Sequence, residues 1–189
     1  MGILHINSEI HHLSAALCQE VFNRVDFLMW IMAVSSDEFR NALSRFASGV
    51  TVVTTKDKQG NFFGITVSAF CSVSLNPPLV LICIDKKTGS HSAFSEAGAF
   101  VVNFLREDQQ EISQHFASAS PDKFAGINYR LGKYGLPILS HALAVLECRL
   151  LYSYEGGDHT IFVGEVESTK VSEGNPLIYF QGKYRQIAG

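Results

Sequence analysis

The chain has 189 residues, a length that fits one domain with a full hydrophobic core. Of these residues, 47% are hydrophobic and 17% are charged, a composition that excludes an intrinsically disordered chain. The formal net charge is −3, from 15 basic and 18 acidic residues without a block of like charge, which argues against nucleic-acid binding.

The N-terminal segment differs in character from the rest of the chain. Between residues 10 and 31, apolar side chains recur at close to helical spacing, interrupted by charged ones. No run of about 18 apolar residues occurs and no positively charged stretch precedes, so neither a membrane-spanning helix nor a secretory signal is expected. Two interpretations stay open: an upstream extension with Met32 as the natural start, or a helix that docks on the body or on a partner. We therefore divide the chain into an extension, residues 1–31, predicted to be helical, and a main domain, residues 32–189.

The four cysteines are far apart and show neither CxxC nor metal-ligand spacing, so no metal site is expected. Three of them, Cys71, Cys83 and Cys148, lie in apolar, strand-like runs. This pattern predicts buried, reduced thiols in a cytoplasmic protein.

Short strands with a few helices are predicted for the main domain. Ser35 and Glu38 form a capping-box pattern that opens a helix through Ala47, ended by Ser48 and Gly49. Strands are predicted at residues 50–56, 62–67, 79–84, 100–105, 143–152, 159–171 and 177–181, and further helices at 92–97 and 107–117. Residues 118–141 are turn-rich, and a loop of that length is often functional. Seven strands without regular β-then-α alternation favour a mainly β fold, an antiparallel barrel with peripheral helices.

The stretch from residue 64 to residue 92 carries two clusters of small polar residues. The first contains Thr66, Ser68, Ser72 and Ser74, whose even spacing predicts that some of them share one face of a strand. The second runs from Thr88 to Ser92, after an apolar run. Donors for a phosphate next to an apolar wall for an aromatic ring suit a planar, phosphate-bearing ligand.

Seven segments, in this order, carry a resemblance to a known family: FRNALSRFASGVTVVTT, GITVSAFCSVSLNPPLVLICI, GSHSAF, FVVNFL, LECRL, GDHTIFVGEV and PLIYFQGKYR. Over about residues 36–186, the chain resembles the flavin reductase family with the FMN-binding split-barrel fold. It is most similar to the reductase components of two-component flavin-dependent monooxygenases, such as 4-hydroxyphenylacetate or phenol hydroxylase reductases.

The resemblance implies a homodimer that binds FMN or FAD, oxidises NADH or NADPH and delivers reduced flavin to a separate oxygenase component. The choice within each cofactor pair stays open, because no GxGxxG pattern with an acidic residue is present and the motifs address only the part that FMN and FAD share.

The resemblance also assigns site residues. It places Thr66, Val67, Ser68, Ala69, Cys71 and Ser72 along the flavin, although hydroxyls are also ordinary on half-exposed strands. Where a loop enters a helix, candidates for the flavin phosphate are Ser90, His91 and Ser92, with Lys86 and Lys87 adding charge; helix capping by Ser90 or Ser92 is the alternative.

The sharpest single motif is Gly157-Asp158-His159. The glycine permits a tight turn, Asp158 shapes it, and a histidine here lies beside the flavin ring and the nicotinamide in the family. His159 is the catalytic candidate, as an orienting and electrostatic residue rather than an obligatory acid.

Four further residues have a cofactor contact and a structural role as open alternatives: Asn103, Phe124, Tyr184 and Arg185. Three rival functions stay open as well: a non-catalytic flavin carrier or sensor, a pyridoxamine-phosphate-oxidase-type enzyme, and a pure interaction protein. A pyridoxamine-phosphate-oxidase-type enzyme requires a basic cluster for the substrate phosphate. A pure interaction protein would leave the two hydroxyl clusters unexplained.

Overall fold

The computed structural model describes residues 34–187. The helix predicted within residues 1–31, Cys18 and the question of Met32 as the start lie outside these residues. The chain divides into two compact units, with the boundary between Leu43 and Ser44. No helix in the described part is long and apolar enough to cross a membrane.

In the first unit the structure describes one helix, α1, Ser36–Leu43. The predicted capping box is confirmed: the Glu38 carboxylate accepts hydrogen bonds from the Ser35 amide (3.0 Å) and hydroxyl (2.7 Å), and the Glu38 amide donates to Ser35 Oγ (3.3 Å). The predicted helix end at Ala47 is wrong, because the chain leaves the helix after Leu43 and Ser48–Gly49 forms a strand instead.

The second unit contains twelve described strands and two described helices. The strands are β1 (Ser48–Gly49), β2 (Thr51–Lys56), β3 (Phe62–Val67), β4 (Phe70–Leu75), β5 (Pro78–Asp85), β6 (Ala99–Phe104), β7 (Tyr129–Leu131), β8 (Pro137–Leu139), β9 (Ala144–Gly156), β10 (His159–Val171), β11 (Ile178–Phe180) and β12 (Lys183–Arg185). The helices are α2 (His91–Glu96) and α3 (Gln110–Ala117).

A seven-stranded antiparallel sheet dominates this unit, with the order β3-β2-β6-β9-β10-β5-β4. Its two edge strands, β3 and β4, follow each other in the chain and are joined only by Ser68 and Ala69. Such a short link requires the sheet to curl until its edges meet, which is the geometry of a barrel that stays open between β3 and β4. The prediction of a mainly β fold, an antiparallel split barrel with peripheral helices, is confirmed.

Apolar side chains fill the interior of the curled sheet. The largest fully buried ones there include Ile82, Phe94, Phe100 and Phe162, each of which stabilises the fold by about 1.5–3 kcal/mol through burial. Gly164 lies beside this cluster, and a Cβ at its position would come within 2.5 Å of the Phe100 ring. β5 alternates buried and partly exposed residues, so one of its faces closes the core, whereas the first five residues of β2 are all buried.

Three further predictions are wrong. Thr66 and Ser68 do not share a strand face with Ser72 and Ser74, because the chain turns at Ser68–Ala69 between β3 and β4 and β4 carries a bulge between Ser72 and Ser74. Residues 118–141 contain two short paired strands, β7 and β8. Finally, Cys71 is exposed on the edge strand β4, whereas Cys148 is buried and Cys83 is half-buried.

A charge network on the outside of the sheet centres on Glu167. Its carboxylate accepts hydrogen bonds from Lys133 Nζ (2.5 Å), Arg149 Nε (2.8 Å) and the Tyr134 hydroxyl. These three donors lower the pKa of Glu167 to about 2. The network ties β9 and β10 to the segment between β7 and β8.

We expect this network to stabilise the protein in a pH-dependent way. Because the folded-state pKa of Glu167 lies below the ordinary value of 4.5, its contribution is present above pH 4.5 and is lost as the pH falls towards about 2. The urea midpoint of Glu167→Gln should therefore lie below that of the wild type at pH 7, and the gap should narrow between pH 4.5 and 2. Glu173→Gln, an exposed residue without an ion pair among residues 34–187, is the control. A gap that does not depend on pH would contradict the expectation.

Candidate functional site

A cavity of about 1020 Å³ lies against the strand β3. Three segments of the second unit line it: residues 60–65 on the turn before β3 and the strand itself, residues 87–90 before α2, and residues 117–124 after α3. The volume is at the upper end of the range for small-molecule sites.

The lining combines an apolar wall with polar donors. Phe62, Phe63, Ile65 and Phe124 supply the apolar surface. The polar lining residues are Asn61, Lys87, Thr88, Ser90, Ser118, Ser120, Asp122 and Lys123. A planar aromatic ligand with a phosphate group requires both kinds of surface.

The aromatic part of the wall is a packed cluster. Phe124 makes edge-to-face contacts with Phe62 (centroid distance 5.8 Å), Phe116 (5.3 Å) and Tyr129 (5.4 Å). These contacts hold the Phe124 ring at the cavity, so it has a packing role and a place at the lining at once.

The loop before α2 presents hydroxyl groups to the cavity. The Lys87 amide donates to Asp85 Oδ1 (2.8 Å), and the Thr88 hydroxyl donates to the Asp85 carbonyl (2.9 Å), which fixes the turn. Ser90 lines the cavity and is only 7% exposed, yet its side chain makes no capping hydrogen bond to α2. The capping alternative for Ser90 is therefore wrong.

His91 and Ser92 are not among the cavity-lining residues. The His91 Nε2 atom lies 2.9 Å from Thr160 Oγ1 on β10, so this imidazole links α2 to the sheet. Ser92 is exposed on α2.

The hairpin that carries His159 joins β9 to β10. Gly157 has φ +74°, which the tight turn requires. His159 Nδ1 lies 2.8 Å from Asp158 Oδ1, and this hydrogen bond, with the attraction of the imidazole, lowers the pKa of Asp158. The imidazole is 40% exposed at the end of the sheet.

Lys86 fastens this hairpin to the loop before α2. Its amide donates to the Asp158 carbonyl (3.0 Å), its ammonium donates to the Gly157 carbonyl (2.7 Å), and it forms an ion pair with Glu155 that lowers the pKa of that carboxyl. The His159 hairpin and the Lys87–Ser90 lining segment are thus held together by one residue. Sequence reasoning gave Lys86 only a contribution of charge, because its partners lie about 70 positions away.

Most residues assigned to the flavin ring lie outside the cavity lining. Val67 is buried, Ser68 and Ala69 form the exposed link, and Cys71 and Ser72 are exposed on β4. This link and strand border the open seam of the barrel, and Arg185 is exposed on β12. The structure thus brings Lys87, Ser90 and Phe124 together at the cavity, and none of the other predicted cofactor-binding residues lines it.

Asn103 is fully buried, and both of its polar groups are used within the fold. Its Nδ2 donates to the Val52 carbonyl (3.1 Å), and its Oδ1 accepts from the Leu139 amide (2.9 Å). These bonds join β2, β6 and β8, which supports the structural alternative for this residue.

Sequence reasoning missed the polar residues that follow α3. Ser118, Ser120 and Lys123 line the cavity, and Lys123 Nζ donates to the Phe116 carbonyl (2.8 Å) while burial lowers the pKa of Lys123. The signal was the turn-rich stretch from residue 118, which pointed to a functional loop without singling out its residues.

A partly buried pair of hydrogen bonds connects β3, α3 and β12. The Thr66 hydroxyl donates to the Ser113 carbonyl (2.6 Å), and the Ser113 and Tyr184 hydroxyls lie 2.8 Å apart. Ser113 is fully buried, whereas Tyr184 is half-buried. Tyr184 therefore has a structural partner that the sequence did not reveal.

The hydrogen bond between Ser113 and Tyr184 predicts that removing either hydroxyl group lowers the free energy of unfolding by a different amount. Tyr184→Phe leaves the buried Ser113 hydroxyl without that partner and should cost about 1–3 kcal/mol, whereas Ser113→Ala should cost about 0.5–1.5 kcal/mol. The double variant should lie close to Ser113→Ala, since the two losses are not additive. Urea unfolding of the wild type, the two single variants and the double variant measures these losses. Strictly additive losses would contradict the Ser113–Tyr184 hydrogen bond.

Comparison with known proteins places this chain in a family. Residues 43–188 match the model of the "Flavin reductase like domain". The reductase component of 4-nitrophenol 4-monooxygenase/4-nitrocatechol 2-monooxygenase from Rhodococcus opacus is 44% identical over 147 residues, which cover 78% of either protein. A longer relative, a protein of Rhizobium meliloti strain 1021 named as a probable flavin reductase, is 42% identical, and the match covers 77% of this chain and 47% of that protein.

A solved structure shows the same architecture. The NADH:FAD oxidoreductase of Streptomyces globisporus C-1027, in complex with NAD and FAD fragments, superposes with a TM-score of 0.76 at 38% identity. The match covers 80% of this chain and 92% of that one. The split barrel, its order of segments and these relatives agree, and the chain belongs to the flavin reductase family.

Proposed function

We propose that this protein is an NAD(P)H:flavin oxidoreductase that passes a hydride from NADH or NADPH to FMN or FAD. The family match over residues 43–188 carries the proposal, and the cavity beside β3 supports it with its aromatic wall and its donors. When bound, the flavin supplies an electron acceptor for the hydride; the protein has to bind, orient and shield the two ring systems.

The described residues fit a flavin. For the phosphate, Lys87 offers its ammonium group and Ser90 offers its hydroxyl group, which makes no capping hydrogen bond to α2. Phe124 offers an apolar surface, and the backbone of Ser68 and Ala69 at the open seam offers amide groups for a ring edge. His159, fixed to Asp158 and joined to the phosphate loop through Lys86, is proposed to orient the nicotinamide.

Two partners belong to the proposal. A second copy of this chain fits the open edge of the sheet, where β4 exposes Val73 (49%) and Leu75 (84%). A separate oxygenase that receives reduced flavin is proposed because the Rhodococcus relative is named as a reductase component.

The proposal includes the organisation of the chain: residues 1–31 as an extension and residues 32–189 as the flavin reductase domain. We propose a cytoplasmic protein, since Cys71, Cys83 and Cys148 are free thiols in the structure. Removal of residues 1–31 is expected to leave flavin reduction intact.

The proposed function is tested by the loss of absorbance at 340 nm, with NADH or NADPH paired in turn with free FMN or FAD. In air, a reductase releases reduced flavin, which oxygen re-oxidises, so nicotinamide is consumed well beyond one equivalent of protein. The fastest of the four pairings identifies both cofactors. Flavin binding without nicotinamide oxidation in any pairing would refute the reductase and leave the carrier or sensor.

A further inference from the structure

A second pocket, of about 320 Å³, lies away from the flavin cavity and shares no lining residue with it. Three separate segments each contribute one basic side chain to its lining: Arg130 from β7, His141 from the turn after β8, and Lys170 from β10. Ser140 and Ser172 add polar groups. We propose that this pocket binds the phosphate group of a small molecule.

The charges around the pocket favour an anionic ligand. None of its lining residues in the described part of the chain is acidic. Arg130 and Lys170 form no ion pair among residues 34–187, so neither charge is neutralised locally. Asp108 interacts electrostatically with His141, and Arg106 already holds this acid through two hydrogen bonds (2.8 and 2.6 Å). In a chain with a net charge of −3, two unpaired cations beside an imidazole around one concavity favour an anion.

The second step is that the scaffold of the pocket is fixed. Its floor is the buried set Ile138, Leu139, Ala142 and Val145. The Ser140 amide donates to the Asn128 carbonyl (3.0 Å), and the Ser140 carbonyl accepts from Gln109 Nε2 (3.0 Å). The Ser172 amide donates to the Leu143 carbonyl (2.8 Å), which holds the end of β10 against the same segment. The basic groups therefore project from a preorganised frame, which lowers the entropic cost of binding.

The size and chemistry of the pocket select the ligand class. A volume of about 320 Å³ is at the small end for ligand sites. A guanidinium, an ammonium and an imidazole beside two serines match the oxygens of a phosphate, which accept several charge-assisted hydrogen bonds. The apolar floor leaves room for a compact group attached to that phosphate.

The test is a titration of the FMN-saturated, ¹⁵N-labelled protein with inorganic phosphate, followed by two-dimensional NMR at constant ionic strength. Amide signals of residues 140–142 and 170–172 should shift together and saturate. Arg130→Gln and Lys170→Gln should each weaken binding about fivefold or more. Arg45→Gln, an exposed residue without an ion pair in the described part of the chain, should bind like the wild type.

Further arms of the titration separate the sources of the phosphate group. If adenosine monophosphate binds clearly more tightly than inorganic phosphate while adenosine alone does not bind, the site takes a nucleotide; equal affinities indicate free phosphate. Shifts confined to residues 87–92, or shifts at the pocket that never saturate, would overturn the proposal. Circular dichroism and the thermal midpoint of each variant show that it is folded. The location of the shifts reads out this pocket independently of whether the protein reduces flavin.

Discussion

Replacing His159 by alanine is expected to lower kcat/KM for the nicotinamide dinucleotide by about 10- to 100-fold, since small misplacements of reacting groups cost factors of this size. The imidazole stands at the start of β10, held by Asp158, on a hairpin that Lys86 fastens to the loop before α2. Removal of the ring takes away an orienting contact while that hairpin keeps its backbone bonds. Flavin affinity should therefore change much less than turnover, which steady-state kinetics and a flavin titration measure separately.

The control for this variant is His141→Asn. His141 has φ +61°, and asparagine tolerates this left-handed conformation. His141 neither lines the flavin cavity nor stands, as His159 does, on the hairpin that Lys86 links to the loop before α2, so its variant should retain wild-type kinetics. Unchanged kcat/KM in His159→Ala would show that the histidine is an ordinary surface residue, and an equal loss of flavin affinity would make it a flavin-binding residue instead.

Lys86→Met extends the same argument to a residue that acts through its neighbours. It removes the hydrogen bond to the Gly157 carbonyl and the ion pair with Glu155 but keeps the backbone bond to Asp158. We expect the same direction of change as in His159→Ala with a smaller size. A loss of stability without any change in the ratio of kcat to KM would assign Lys86 a structural role only.

Local sequence signals predicted the strands and turns of the barrel well. The strands Phe62–Val67 and His159–Val171 have the predicted bounds, because each is a β-rich run flanked by turn residues. The three-residue strands β7 and β8 were missed, since so short a run carries no periodicity and is fixed by its pairing partner. The prediction that some of the four residues Thr66, Ser68, Ser72 and Ser74 share one strand face was wrong for a related reason. The turn at Ser68 depends on closure of the barrel, which joins β3 to β4.

The candidate site depended still more on tertiary structure. The motifs led to Ser90, which lines the cavity, and to His159, which does not, whereas most of the cavity wall comes from residues 60–65 and 117–124. Ser113 is an unremarkable helical serine in the sequence, and only the packing of α3 between β3 and β12 makes it the partner of Tyr184. Such pairings join residues about 50–70 positions apart, which no local pattern encodes.

Gly64→Ala is expected to be the most damaging single-methyl change at the flavin cavity. A Cβ at Gly64 would lie 2.5 Å from Cε1 and 2.7 Å from Cδ1 of Phe116, a side chain that is fully buried. Relief requires the ring to shift against its packed neighbours, which include Phe124 at the cavity. We expect a loss of about 1–3 kcal/mol in the free energy of unfolding and a flavin affinity about tenfold weaker, equivalent to 1.4 kcal/mol.

Urea unfolding and a flavin titration measure the two effects of Gly64→Ala. The matched control is Gly49→Ala on β1, where a Cβ would meet no atom within 4 Å. Wild-type stability of Gly64→Ala would contradict the steric argument, and a loss of stability with unchanged flavin affinity would show that the ring shift does not reach the ligand.

A second substitution separates steric overlap from other effects of the added methyl group. Phe116→Leu alone should destabilise the protein, because it leaves a void in the cluster around Leu105 and Leu139. In the Gly64→Ala background the smaller side chain makes room for the new methyl group, so the same change should cost less there. The double variant should therefore be more stable than the sum of the single losses, with a coupling of about 0.5–3 kcal/mol as found for residues in contact. Additive losses would mean that the cost of the added methyl group does not come from overlap with Phe116.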